Sequence, residues 1–395
     1  MILTQQPLYA ANTPDPFGVS NCDATRRDMT IRFCLSHMSV LRYCANFFEA
    51  KSSMNATQTE PGRILGGDAS AIRKAYESFN RMPVDQEMLE AETPNTGRTT
   101  IARPCAVSGP GTFFGRAQRT LKFLPTTFSG WWIDRTDLAD SLPVRVAIDN
   151  VWTTGRVVSN IVLRAGSPRN YLRMVEHIVA LKVGLGIDDL MIQVDSGDPP
   201  LLDNSSLDIV KALESAGIEK DDNMPGWLTV KQAVTLGGVR DSFLTFHPAD
   251  SGSRALTIDC AIDFPNAIGK QRIRFAVSPR ACTHGSFART NTSWGIMLYC
   301  MTIGKMFAEI RNLGYTTKNL QIAGRSKFVN EARLCHEGKS LEAVWHRASL
   351  DLLAAIALIA DGRLAGHVVS YKAGHTLDCR MITKLHRDSL LVPLT

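Results

Sequence analysis

Glu176 and His177 stand side by side in Met174-Val175-Glu176-His177-Ile178-Val179-Ala180-Leu181, at the head of an apolar run that reads as a helix. A carboxylate beside an imidazole can act as a general base next to a metal ligand. It can equally be a satisfied polar pair at a helix edge, so the other histidines decide between the two readings. Two of them sit in suggestive settings. His346 opens Trp345-His346-Arg347-Ala348-Ser349-Leu350-Asp351, with a carboxylate five residues on. His375 ends Tyr371-Lys372-Ala373-Gly374-His375, a strand-to-helix turn in which a glycine lets the next side chain project from the surface.

The elements around these residues follow from periodicity and turn signals. Residues 1–98 mix turn-rich segments with two amphipathic stretches, 29–50 and 69–80, and carry no assignable chemistry. From Thr99, strand-like runs joined by a glycine-rich turn precede a helix at about 170–184, a buried strand at 190–194 and a helix from about Ser206 to Ala216, stopped by Gly217. The glycines near 109–115 lack the G-x-G-x-x-G spacing and any Gly-Lys-Ser/Thr, so a phosphate loop is rejected. The polar stretch 219–226 reads as a linker. Beyond it, alternating runs build a second sheet, followed by helices at about 303–312 and 341–360, a strand at 366–371 and a last helix after Gly374. The pattern predicts an α+β fold: a 1–98 extension, then two domains of similar plan, 99–222 and 223–395. Each packs a small β-sheet against two helices, with the site in the cleft between them.

Composition narrows the classes. With 395 residues, 44% hydrophobic and 21% charged, the chain reads as globular. A net charge of +6 without a dense Lys/Arg block argues against a nucleic-acid partner. Nine dispersed cysteines without a C-x-x-C pair suggest reduced thiols in a cytoplasmic protein. No apolar run is long enough to span a bilayer, and no signal peptide is expected. Oligomeric state is not legible.

Taken together, the motifs resemble those of the zinc-dependent UDP-3-O-acyl-N-acetylglucosamine deacetylases of lipid A biosynthesis. The matching stretches are 175–177 with 184–188, 200–206, 262–264, 288–290, His346-Arg347 with Asp351, and 371–375, in order over about residues 99–388. The resemblance implies a Zn²⁺ ion on His177, His346 and Asp351, with Glu176 as base toward its water. It implies His375 as the acid or oxyanion stabiliser and Thr290 as a further hydrogen-bond donor. Lys372, Arg347 and Arg289 would hold the diphosphate or sugar of a UDP-linked acylated amino sugar, and Ser293 to Met301 would line an acyl groove.

Four positions depart from the family pattern. Phe113 stands where the family has a His, and Met174 where it has a Thr. The family spaces its ligand His and Asp four apart, whereas His346 and Asp351 are five apart, about 140° around a regular helix. Only a π-type bulge would bring them to one side. Ala355 replaces the family's second Asp, which predicts that His375 lacks a carboxylate neighbour. These departures leave room for a weakened or inactive relative that binds a sugar nucleotide or lipid, or a zinc amidase for another N-acetyl sugar.

Overall fold

A seven-stranded mixed sheet carries much of the chain, in the spatial order Arg63–Gly66, Val234–Gly237, Phe243–His247, Gly366–Tyr371, Leu256–Asp263, Lys270–Ala276, Gln86–Met88. The computed structural model describes residues 60–90, 96–112, 117–155, 159–302 and 315–394. The two outer strands come from the region that the sequence assigns to an extension. Residues 63–88 are therefore part of this sheet, and Thr59–Thr395 forms one compact unit. The 29–50 stretch, Phe113 and the 303–312 helix lie outside the described residues.

Between the outer strands runs helix α1, Ala69–Asn80, capped by the Asp68 carboxylate, which accepts from Ala71 N at 2.6 Å. Its buried face is Ile72, Ala75, Tyr76 and Phe79, a helical stripe that packs on Phe243, Val369 and Tyr371 of the sheet. The Tyr76 and Phe243 rings stack at 4.1 Å.

A second sheet has the order Cys105–Pro110, Gln118–Leu124, Leu190–Val194, Trp131–Arg135, Val144–Arg145. Alternate residues Leu121, Phe123, Ile133 and Ile192 point into the core. Helix α2, Glu176–Gly184, precedes the strand Leu190–Val194, and helix α3, Leu207–Ala216, packs on the edge strand Cys105–Pro110. The helix expected from about 170 begins instead at Glu176, because Tyr171–Leu172 is a short strand and Met174 takes a left-handed φ of +53°. The expected linker is partly structured as well, since Ile218–Lys220 pairs antiparallel with Thr99–Ile101.

Helix α2 is apolar nearly all round, as a helix enclosed on every side must be. At its end a Cβ on Gly184 would meet Cys282 Sγ at 2.3 Å, so only glycine admits helix α4, Pro279–Gly285, this close. Helix α5, Trp294–Met301, follows the short strand Thr290–Ser293. Against α2 also lies a continuous helical stretch made of α6, Glu342–Trp345, a π segment His346–Leu352, and α7, Leu353–Ala357. Helix α8, His375–Arg387, ends the fold's helical complement. One hydrophobic core unites residues from both sheets.

Candidate active site

Five side chains meet where α2, the π segment and the start of α8 converge. The π turn is the local reason. By adding one residue to the turn it sets His346 and Asp351 on one side, and His346 Nδ1 lies 3.5 Å from Asp351 Oδ1. Ser349 Oγ, inside the turn, donates to Trp345 O at 2.7 Å. Across from it His177 Nε2 lies 3.2 Å from His346 Nε2, and Thr290 Oγ1 bridges them at 3.2 and 3.1 Å. His375 Nε2 is 3.6 Å from Asp351 Oδ1. Thr290, His346, Asp351 and His375 open on a cleft of about 1100 Å³ that also touches Lys372, Arg347, Ile296, Tyr299 and Phe264.

The electrostatics follow from burial. Desolvation pushes the Glu176 carboxyl up to about 8, although Ile161 N donates to its Oε2 at 3.1 Å. Burial, aided by His346, drives His177 down to about 3, so its imidazole is neutral at pH 7. Burial works against the charged form of His346, but the Asp351 carboxylate prevails and raises it. Asp351 itself is held low because His346 and His375 outweigh its burial, and burial lowers His375. Ser205 Oγ donates to Ala288 O at 2.6 Å and so turns a lone pair toward His177 Nδ1, 3.4 Å away. That contact favours the tautomer whose Nε2 lone pair faces His346.

Three non-glycine residues with left-handed φ touch this centre. Met174 (+53°) and Lys372 (+53°) line the cleft, and Ser205 (+56°) contacts His177. Strained backbone gathers where side-chain placement is over-determined by the surroundings.

The donors suit the zinc ion implied by the family pattern, but only two of the three expected ligands converge. The two Nε2 atoms, 3.2 Å apart, match the edge of about 3.3 Å expected between nitrogens on a tetrahedral zinc. Asp351 Oδ1 is buried without a hydrogen-bond partner, which is the condition of an acceptor suited to a cation. It nevertheless sits on the Nδ1 side of His346, away from the Nε2 pair. Among the described residues no three His, Cys, Asp or Glu side chains are arranged about one point.

Other expectations are also revised. Arg289 spends its guanidinium on Glu342, with Nε to Oε1 at 2.7 Å and Nη2 to Oε2 at 3.0 Å, and on the Thr317 and Glu331 carbonyls. It is buried and does not line the cleft, so it braces the Thr290 strand instead of reaching for a ligand. Arg347 is tied to Asp378 at 2.6 Å and to Ala373 O at 2.9 Å, leaving Nη1 buried without a partner. Lys372 is half-buried at the cleft wall, its Nζ 5.4 Å from the Tyr371 ring centroid. In the apolar run, Met297 is core beside Leu320 and Ile322, while Ile296 and Tyr299 face the cleft.

His375 does not lack carboxylates. Ala355 is buried and apolar, but Asp351 stands beside His375, and Asp378, three residues on along α8, also acts on it electrostatically. Asp378 and Glu342 escaped the sequence reading. The His375–Asp378 spacing was a visible signal, since residues three apart share a helix face.

These features define a buried acid–imidazole centre, open to a cleft with a cation and an apolar wall, on an α+β scaffold. The sequence model of the UDP-3-O-acyl N-acetylglycosamine deacetylase family matches residues 98–387, and the chain belongs to that family. Similar curated proteins named UDP-3-O-acyl-N-acetylglucosamine deacetylase include that of Solibacter usitatus, 26% identical over 296 residues, covering 73% of this chain and 91% of the relative. The protein of Marinobacter nauticus is 26% identical over 292 residues (73% and 90%), and that of Brucella melitensis biotype 2 is 27% identical over 297 (74% and 96%). Among the described residues no helix is long and apolar enough to cross a membrane.

Proposed function

We propose that this chain is a zinc-dependent cytoplasmic amidohydrolase that removes the N-acetyl group of UDP-3-O-acyl-N-acetylglucosamine, releasing acetate, in lipid A biosynthesis. The observation that carries the reading is the buried Glu176 carboxyl at the cleft beside His177, whose Nε2 meets that of the cleft-lining His346 at 3.2 Å. The names of the similar proteins supply the substrate.

His177 and His346 would hold the zinc through their Nε2 atoms, and Asp351, the third donor that the family pattern implies, would have to swing its carboxylate round from the Nδ1 side of His346 to join them. When bound, the ion supplies a Lewis acid that brings its water's pKa to about 7, and a positive charge that favours an ionised Glu176. Glu176 takes the proton of the attacking water, a role that its place beside His177 allows and its water-poor setting strengthens. The proton that Glu176 accepts would be handed on to the departing amine through His375, which stands 3.6 Å from Asp351 and in the field of Asp378 and could in its protonated form stabilise the oxyanion instead. Thr290 Oγ1, 3.2 Å from His177 Nε2 and 3.1 Å from His346 Nε2, would donate to the carbonyl oxygen as charge develops there. Lys372 meets the diphosphate as a point charge, with Arg347 Nη1 a second donor. Ile296 and Tyr299 cover the acyl chain, and the 99–222 and 223–395 halves supply opposite walls of the cleft.

Purified protein incubated with the UDP-linked acylated sugar is expected to release acetate and to carry zinc that His177→Ala removes. Protein that takes up no zinc and releases no acetate returns the reading to a non-catalytic binder. In a parallel assay Ile296→Asp is expected to raise KM at least tenfold for the acylated substrate.

A further inference from the structure

His247 and His367 lie far from the cleft and have no part in the proposed reaction. They end up face to face for a backbone reason. The Phe243–His247 and Gly366–Tyr371 strands pair antiparallel with His247 opposite His367, and the Leu256–Asp263 strand places Thr257 on the other flank of His367. Gly366 permits this register, since a Cβ there would meet His247 O at 2.4 Å. The two rings sit 5.8 Å apart between centroids, tilted by 42°.

Their hydrogen bonding is unusual. The Nε2 atoms of both histidines are buried without a partner. Thr257 Oγ1 is 2.7 Å from His367 Nδ1 and 3.5 Å from Gly366 O. With the hydroxyl proton turned to the carbonyl, the oxygen accepts from Nδ1–H and the His367 Nε2 lone pair is free, the tautomer that a ligating role requires. A neighbour that fixes one nitrogen as N–H and frees the other is the usual support of a metal-binding imidazole. Burial lowers both groups, His367 to about 4, so both are in the neutral, ligating form at pH 7. Asp259, the carboxylate that acts on His367, is already bound by Arg272 and Arg274 and leaves the imidazoles as the available donors. Two buried nitrogens without partners cost roughly 1–3 kcal/mol each, and a cation between the two rings, whose centroids are 5.8 Å apart, would relieve both.

We propose that His247 and His367 form a second metal site, on the sheet face beside α1, that takes an imidazole-preferring divalent ion such as Zn²⁺, Ni²⁺ or Cu²⁺ through the two Nε2 atoms. The site is distinct from the His177–His346 centre. His367 starts the strand whose far end leads into Lys372 and His375, roughly 13 Å from Tyr371 along the strand.

The test uses the full chain, stripped with a chelator, loaded with Ni²⁺ and dialysed, with metal counted per chain by mass spectrometry. His247→Gln and His367→Gln are each expected to lose one equivalent that His177→Ala retains, and to lose the Ni²⁺-dependent rise in melting temperature. An unchanged count in both variants overturns the site and assigns the nitrogens to a bridging water. Loss in His177→Ala alone bears on the catalytic centre and likewise overturns this one. Should the Gln variants fail to fold, Cu²⁺ bound to the His177→Ala chain gives the answer by electron paramagnetic resonance. Hyperfine splitting from two imidazole nitrogens is expected, and copper with oxygen ligands only, or no bound copper, sinks the proposal.

Discussion

Two helical elements face each other across the centre, and they solve the same problem differently. Helix α2 is short and regular and delivers Glu176 and His177 from adjacent positions at its first turn. The opposing element delivers His346 and Asp351 from positions five apart, and does so only by widening into a π turn. Adjacent residues need nothing beyond a helix end to serve one site. Separated residues need the helix itself reshaped, and the reshaped part must be stabilised by its surroundings.

The largest expected effect tests the regular side. Glu176→Ala is expected to lower acetate release by about 10²–10⁴-fold while zinc content stays that of the wild type. Turnover within a factor of a few of wild type removes Glu176 from the base's role and makes the two helices unequal partners.

On the π side, Arg347→Met leaves Asp378 buried without its cation. Urea denaturation is expected to show a loss of about 3–5 kcal/mol, recovered in part by adding Asp378→Asn. A near-neutral Arg347→Met means that the π segment does not depend on this anchor.

The join between the elements is titratable. Lys182 of α2 donates to Ala357 O and Ile359 O, both at 3.2 Å, and burial lowers its pKa to about 8 from 10.5. Between those values the unfolded chain holds more protons than the folded one, so folding stability must rise with pH there. Relative to Lys182→Met, the wild type is expected to gain on the order of 3 kcal/mol between pH 8 and 10.5, measured by denaturant titration. A flat difference across that window says that the lysine is not buried at the join.

The smallest effect concerns the π turn directly. Ser349→Ala removes the bond to Trp345 O and is expected to cost about 1 kcal/mol, with zinc content unchanged. A drop in zinc content as well would mean that the turn's shape hangs on this hydroxyl.

Local signals were legible in the sequence and distant partnerships were not. The Ala69–Asn80 helix shows in its spacing, and the five-residue gap between His346 and Asp351 poses a choice between a regular helix that separates them and a π turn that does not, which the π segment resolves. The fates of Arg289 and Arg347 depend on Glu342 and Asp378, residues 53 and 31 positions away, and no periodicity couples such pairs. The edge strands Arg63–Gly66 and Gln86–Met88 are too short to show alternation, so their membership of the sheet surfaces only through pairing. The facing of His247 and His367 is a matter of strand register and is equally silent.

The π segment also separates the length of this element from its geometry. An inserted residue in a regular helix turns everything beyond it by about 100°, and a buried helix packed on all sides cannot follow. Here one widened turn absorbs the residue, and both α6 and α7 keep their buried seats. Between Arg347 and Leu350, relatives can therefore differ by a residue without disturbing the rigid flanks, and an alignment gap placed there marks a change of turn, not a break in the fold.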